Sequence, residues 1–167
     1  MTDSAVSPHF PPDSIEAFLR FSAGDWMNLR SQFDLGDEAD GANGDEWHTS
    51  ERGELVVAYL QDGDGPGGLS VGPKGGTFRQ LRFADDGSFH SQGGGTAVEG
   101  RWQLWPDGSL ELVLRNGDAE VHERIWFTKP NLRLRSTVEQ RFDGTPGRAS
   151  FSSEIRRVSK PAEGPAA

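Results

Sequence analysis

The chain has 167 residues, no cysteine, and 26 acidic against 17 basic side chains, for a net charge of −9. That length suits one domain; the acidic balance excludes nucleic acid and anionic membrane surfaces as expected partners, because both repel it. Without cysteine there are no disulfides, thiolate metal sites or cysteine nucleophiles, which fits a reducing compartment. No stretch approaches the roughly 18 apolar residues of a membrane span, and residues 1–12 lack the basic-then-apolar pattern of a secretory leader, so a cytoplasmic protein is expected.

Residues 1–12, ending in Pro11-Pro12, read as a disordered tail. A helix should follow, capped by Asp13 with Glu16 three residues on. Ile15, Phe18, Leu19 and Ser22 fall on one face of it, and Ala23-Gly24 ends it. Strands are expected over 26–35, 46–51, 54–61, 77–83, 88–92, 96–104, 109–115, 121–128, 132–142 and 148–158. Turn signals such as Asp86-Gly87, Pro106-Asp107-Gly108, Asn116-Gly117 and Lys129-Pro130 separate them. The 22 glycines punctuate apolar runs and are read as turn residues. About ten short strands after one helix indicate a mainly β, antiparallel barrel or sandwich over 13–158. The Pro/Ala-rich residues 159–167 read as a second disordered tail.

In the last hairpin, pairing Phe142 with Gly147 sets Leu134 against Ile155 and Val138 against Phe151. It sets Arg135 against Glu154 and Thr137 against Ser152 on the other face, and a one-residue slip would mix the faces. A contact between Arg135 and Glu154 is the expected sign of this register.

His9, His48, His90 and His122 share no metal-ligand spacing, so no metal site is expected. The glycine runs lack phosphate-loop order, and no serine elbow is present. Gly24-Asp25-Trp26 is similar to the start of lipocalin-like barrels, where the indole closes one end; the motif is short, and a helix-ending glycine followed by a core tryptophan is the plainer reading of it on its own.

The most specific stretch runs Glu123-Arg124-Ile125-Trp126-Phe127-Thr128-Lys129-Pro130-Asn131-Leu132-Arg133-Leu134-Arg135-Ser136. It resembles the S/U-type (CpcS/CpeS) phycobiliprotein lyases. Arg141-Phe142-Asp143-Gly144, the stretch from Ala149 to Arg156, and Phe21 to Trp26 with Arg30-Ser31 extend the likeness. The middle third matches poorly. Gln32 and Phe33 stand where family members often carry histidines, and Gly72-Pro73-Lys74-Gly75-Gly76 replaces a tryptophan-bearing stretch.

Alternation alone places Leu132, Leu134 and Val138 in the core and Arg133, Arg135 and Thr137 in water. The resemblance reverses this. It implies a lipocalin-like barrel whose arginines line a ligand cavity, with the leucines outside under the helix's apolar stripe. It implies that Arg133, Arg135, Thr137, Arg30 and Trp26 bind a phycobilin, phycocyanobilin or phycoerythrobilin, as bound substrate rather than cofactor, with Glu154 and Glu123 as catalytic carboxylates. An arginine fork fits a propionate, and a glutamate can accept from pyrrole N–H groups. Matching Phe127 with Leu132 puts Glu123 on the leucine face, and only a bulge would bring it to the arginines.

The implied activity is delivery of the pigment to a cysteine of an apo-phycobiliprotein subunit of phycocyanin or phycoerythrin type, in cyanobacterial cytoplasm or plastid stroma. A homodimer and a heterodimer with a second lyase both stay open. So do two alternatives: a non-covalent carrier of bilin or another apolar anion, and a non-catalytic partner subunit.

Overall fold

The computed structural model describes residues 9–34, 48–61 and 63–158. Helix α1 (Ile15–Ser22) precedes ten strands: β1 (Gly24–Asp34), β2 (His48–Leu60), β3 (Gly67–Pro73), β4 (Arg79–Phe83), β5 (Ser88–Gly93), β6 (Thr96–Leu104), β7 (Leu110–Asn116), β8 (Ala119–Lys129), β9 (Leu132–Arg141) and β10 (Pro146–Arg156). Every strand pairs with its sequence neighbours, and β1 pairs with β10, so an antiparallel sheet closes into a barrel with no free edge. The mainly β, ten-stranded barrel with a short N-terminal helix is as expected.

Three elements differ from expectation. The strands expected over 46–51 and 54–61 are one strand, β2, whose Gly53 passes straight through opposite Asn28; residues 46 and 47 lie outside the described ones. Strand β3 was missed because its glycines suggest loop. They are instead points of close approach: a Cβ on Gly68 would lie 2.2 Å from the carbonyl oxygen of Leu81, and one on Gly72 would lie 2.8 Å from that of Thr77. The helix cap is Ser14, whose hydroxyl accepts from the Ala17 N–H at 3.1 Å, and not Asp13. Ser14→Ala should therefore cost about 1 kcal/mol, and Asp13→Ala much less, in urea unfolding.

The helix also lies elsewhere. Its stripe does not cover the outward leucines; it plugs one end of the barrel, with Phe18, Leu19 and Ser22 all but fully buried. Phe18 and Phe21 meet Phe127 edge-on, with ring centroids 5.2 and 4.8 Å away. The apolar stripe is removed from water more completely in this opening than on an outer wall. The tails at 1–8 and 159–167 lie outside the described residues. Of 9–12, Pro12 is fully buried and the Phe10 ring lies 5.9 Å from that of Phe21.

Asp86, Asp107 and Asp143 each accept from the backbone N–H and the hydroxyl of the residue two further on: Ser88, Ser109 and Thr145. These turns hold three of the hairpins at the expected sites.

Candidate functional site

The inward side chains form layers from the plugged end to the open end. On β9 the order is Arg133, Arg135, Thr137, Glu139; on β1 it is Trp26, Asn28, Arg30, Gln32; on β10 it is Glu154, Ser152, Ser150. The arginines thus face the lumen and the leucines face out, as the resemblance implies and alternation alone does not.

Glu123 joins the arginines through a bulge. Lys129 pairs with Leu132 but Phe127 pairs with Arg133, so the register shifts at Thr128 and Glu123 comes opposite Thr137. The extra residue changes the parity of everything before it on β8, which moves Glu123 from the outer to the inner face.

The β9–β10 register differs from the expected one by two residues. Glu154 is opposite Arg133, Arg135 is opposite Ser152, and Thr137 is opposite Ser150, with an irregularity between Pro146 and Ala149. A two-residue shift keeps the faces intact, and Glu154 still reaches Arg135 diagonally.

Four charged side chains form an electroneutral quartet, linked in the order Arg133, Glu154, Arg135, Glu123. Arg133 donates through Nε and Nη2 to Glu154 Oε2, at 3.2 and 2.5 Å. Arg135 donates through Nε to Glu154 Oε1 at 3.0 Å, and through Nη1 to Glu123 Oε1. The quartet is graded in access. The side chains of Arg133 and Glu154 are 2% and 1% exposed, those of Arg135 and Glu123 24% and 21%. Burial lowers the Arg133 pKa to about 10 despite the neighbouring Glu154 carboxylate. For Arg135, burial acts the same way, but Glu123 and Glu154 outweigh it and the net shift is upward. Burial would raise the Glu154 pKa, but the two guanidiniums overcome it and hold the carboxyl below its ordinary value of 4.5.

Beneath the quartet, Trp26 donates from its indole to the Ser22 carbonyl at 3.0 Å, and the guanidiniums of Arg133 and Arg156 lie 4.6 and 4.4 Å from its ring centroid. Arg156 donates to the carbonyls of Phe21, Ala23 and Pro130, tying the end of α1 to the barrel. Sequence reasoning missed Arg156 as a site residue, although it shares the inward parity of Ser152 and Glu154. Trp26 is both a buried core tryptophan after the helix-ending glycine and the indole at this end of the barrel, so the two readings of Gly-x-Trp describe one arrangement.

The lumen is not open throughout. Between α1 and the quartet lies a cavity of only about 40 Å³, bordered by Phe18, Val57, Leu110, Ile125, Arg133 and Arg135. It has room for about one water, not a tetrapyrrole. The open space starts above the quartet, in a groove of about 260 Å³ lined by Arg30, Gln32, Val121, Thr137, Glu139 and Arg148 among others. Glu139 also borders a cleft of about 550 Å³ with Asp118, Arg141 and Phe142. Arg30 donates to Ser150 Oγ at 3.4 Å. The structure thus brings together Glu154, Arg133, Arg135, Glu123 and Trp26 as a floor, and Thr137 and Arg30 as a wall above it. Among the described residues no group of three or more His, Asp or Glu could hold a metal ion.

The sequence is 45% identical over 157 residues to "Chromophore lyase CpcS/CpeS 1" of Paulinella chromatophora, a match covering 93% of this chain and 95% of that protein. The chain belongs to the CpcS/CpeS chromophore lyase family. The model of the CpeS-like protein family matches residues 89–157, which include the whole quartet. "Chromophore lyase CpcS/CpeS 2" of Synechococcus sp. (strain JA-3-3Ab) is 34% identical over 68% of this chain and 53% of its own length. Among solved structures, the S-type phycobiliprotein lyase CPES of Guillardia theta shares the fold, with a TM-score of 0.59 and 22% identity over 88% of this chain and 94% of that one. No helix among the described residues is long and apolar enough to cross a membrane.

Acid should open this family member from its carboxylates. Glu154, Asp86, Asp107 and Asp143 all have lowered pKa values: Glu154 because the guanidiniums outweigh burial, the aspartates through hydrogen bonds from Ser88, Ser109 and Thr145. Between the lowered and the ordinary values the unfolded chain binds more protons than the folded one. Their stabilisation is therefore complete above the ordinary values of 3.8 to 4.5 and lost as pH falls through the lowered ones. The urea midpoint should be level from pH 7 to about 5 and fall below about 4.

Proposed function

We propose that the chain is a phycobilin lyase that holds a linear tetrapyrrole in the open half of the barrel and presents it to a cysteine of an apo-phycobiliprotein subunit. The observation that carries the reading is the graded quartet. Arg133 and Glu154 are sealed beneath, while Arg135 offers a partly accessible guanidinium at the floor of a polar groove, in a chain of this family.

A pigment propionate takes the place of Glu123 on Arg135, and Arg30 higher on the same wall receives the second propionate. Glu123, released, accepts hydrogen bonds from pyrrole N–H groups and favours the protonated pigment. Thr137, opposite Glu123, lines the groove. Glu154 acts as a positioning residue, because both its oxygens are engaged by guanidiniums and it is closed to the groove. Trp26 supports Arg133 from below.

The pigment is phycocyanobilin or phycoerythrobilin, held in one extended conformer with ring A at the mouth. The acceptor thiol adds to the ring A side chain: the C–S bond forms, one carbon–carbon double bond is consumed, and the thiol proton goes to the pigment. No oxidant is needed. Holding one conformer and one face lowers the entropic barrier and suppresses wrong adducts.

The test mixes purified protein, pigment and apo-phycobiliprotein subunit. A coloured adduct on the acceptor that survives acid denaturation is expected. A shifted absorption band without that adduct would make the chain a non-covalent carrier. No band and no adduct unless a second family member is added would make it a partner subunit.

A further inference from the structure

Cross-strand pairing arranges the inward residues of β9, β10, β1 and β2 in rows. Arg135, Ser152, Arg30 and Glu51 form one row; Arg133, Glu154, Asn28 and Gly53 form the row beneath it. The lower row is sealed at its β9 end, where Arg133 and Glu154 bond each other. It is open at the other end. Strand β3 ends at Pro73, opposite Leu55, so Gly53 stands just above the barrel rim on that side. Asn28 Oδ1 is buried and has no hydrogen-bond partner among the described residues, although native proteins pair nearly all such atoms. Packing does not explain Gly53 either. A Cβ on the inward glycines Gly93 and Gly100 would lie 3.0 Å from the Arg79 Cα and 2.4 Å from the Phe89 ring, whereas one on Gly53 would meet no atom within 4 Å. A glycine inside a strand weakens it and marks a close approach, here by something other than the protein's own atoms.

We infer that Asn28 and Gly53 form the pocket for the pigment's far terminal ring, ring D, whose lactam N–H donates to Asn28 Oδ1 while the ring lies over Gly53. The inference rests on the proposed pigment site and adds to it the direction in which the pigment lies. With one propionate on Arg135 and the other on Arg30, the two central rings span β9 to β1. The terminal ring beyond Arg30 then falls over β2, where Gly53 is two residues from Glu51, the partner of Arg30. That ring is not ring A. An acceptor thiol must reach ring A, and a ring held against a buried oxygen in the lower row is turned away from the mouth. A terminal lactam presents an N–H and a C=O on one edge, which an amide side chain matches with its own acceptor and donor. Gly53 leaves the flat ring the room a side chain would take, and the ring supplies the donor that Asn28 lacks.

Absorbance titration with phycocyanobilin reads the pocket. Asn28→Leu, similar in volume but without an acceptor, should weaken binding by about 3- to 10-fold, the loss of one neutral hydrogen bond. Its urea midpoint should not fall, because in the free protein the oxygen has no partner to lose. Gly53→Val should weaken binding by more than about tenfold, because the side chain takes the place of the ring. Its midpoint should be unchanged or higher, since valine favours strands and its Cβ meets nothing. A tripyrrole made of rings A to C identifies the ring: Asn28→Leu and Gly53→Val should lower affinity for phycocyanobilin but not for the tripyrrole. Wild-type affinity in both variants, or equal losses for the two pigments, would overturn the inference. Should Gly53→Val fail to fold, Asn28→Leu with the two pigments gives the answer alone. Arg135→Ala is titrated alongside. If it weakens binding while both pocket variants bind as the wild type does, the pocket fails and the pigment site stands. If the wild type binds no pigment, or Arg135→Ala binds it unchanged, the pigment site fails and takes the pocket with it.

Discussion

Glu154→Gln is expected to destabilise the protein by about 3–5 kcal/mol, the usual effect of leaving one partner of a buried ion pair unmatched. Glu154 is the only quartet carboxylate that Arg133 touches, through two hydrogen bonds to one oxygen. With that charge gone, a 2% exposed guanidinium would sit over Trp26 and Phe127 with no counter-charge. Trp26, on which Arg133 stacks, also bonds the end of α1, so the loss should loosen the plug as well. Glu123→Gln is the control. Its side chain is 21% exposed, and Arg135 retains Glu154, so a loss of about 1 kcal/mol is expected. Urea midpoints at pH 7 give both values. If the two substitutions cost the same, the sealed half of the quartet is not what holds the closed end. Replacing the buried pair together, Arg133→Met with Glu154→Leu, should recover most of the lost stability, because well-packed apolar side chains of similar volume replace such pairs at little or no cost.

Arg135→Ala is expected to weaken pigment binding by about 10- to 100-fold, which corresponds to losing one charge-assisted contact of about 1.5–3 kcal/mol. Absorbance titration of phycocyanobilin into the protein reads this directly. Arg30→Ala should act in the same direction through the second propionate, and it tests the groove without touching the quartet. Arg30 is on the surface and its described hydrogen bond to Ser150 is long, so its removal should leave the unfolding midpoint unchanged. Arg133→Ala distinguishes contact from support. It should lower stability sharply but change affinity only as far as the floor beneath Arg135 is disturbed. If Arg135→Ala and Arg30→Ala both bind as the wild type does, the pigment lies elsewhere.

Much of this was legible in the sequence, and the limits are physical. A strand alternates with period two, so the grouping of Arg133, Arg135 and Thr137 on one side of β9 followed from spacing. Which side faced the lumen did not follow, because a run of alternating leucines and arginines satisfies either assignment. The likeness to a family of ligand-holding barrels decided that correctly. The placement of Glu123 depended on one bulge residue, Thr128, which no turn signal announces. The register of the last hairpin was two residues off because both registers match apolar with apolar, and because long side chains let Arg135 reach Glu154 in either. The expected contact was present and could not discriminate between them.

Glycine misled in one place. The run from Gly67 to Gly72 is strand β3, where missing side chains admit the neighbouring backbone. The helix stripe was read correctly as a buried face, but sequence could not say against what. Trp26 and Arg156, which tie it to the barrel end, come from the first and last strands and meet only once the barrel closes. The open lumen was the largest overestimate. The cavity below the quartet has room for about one water, which restricts the proposed pigment site to the upper layers.

The most direct measurement is a crystal structure of the protein with phycocyanobilin bound. A propionate on Arg135 above an intact Arg133–Glu154 pair, with α1 still seated in the barrel end, is the predicted result. A pigment lying on the apolar outer wall, or one that has displaced α1 to occupy the lower lumen, would contradict it.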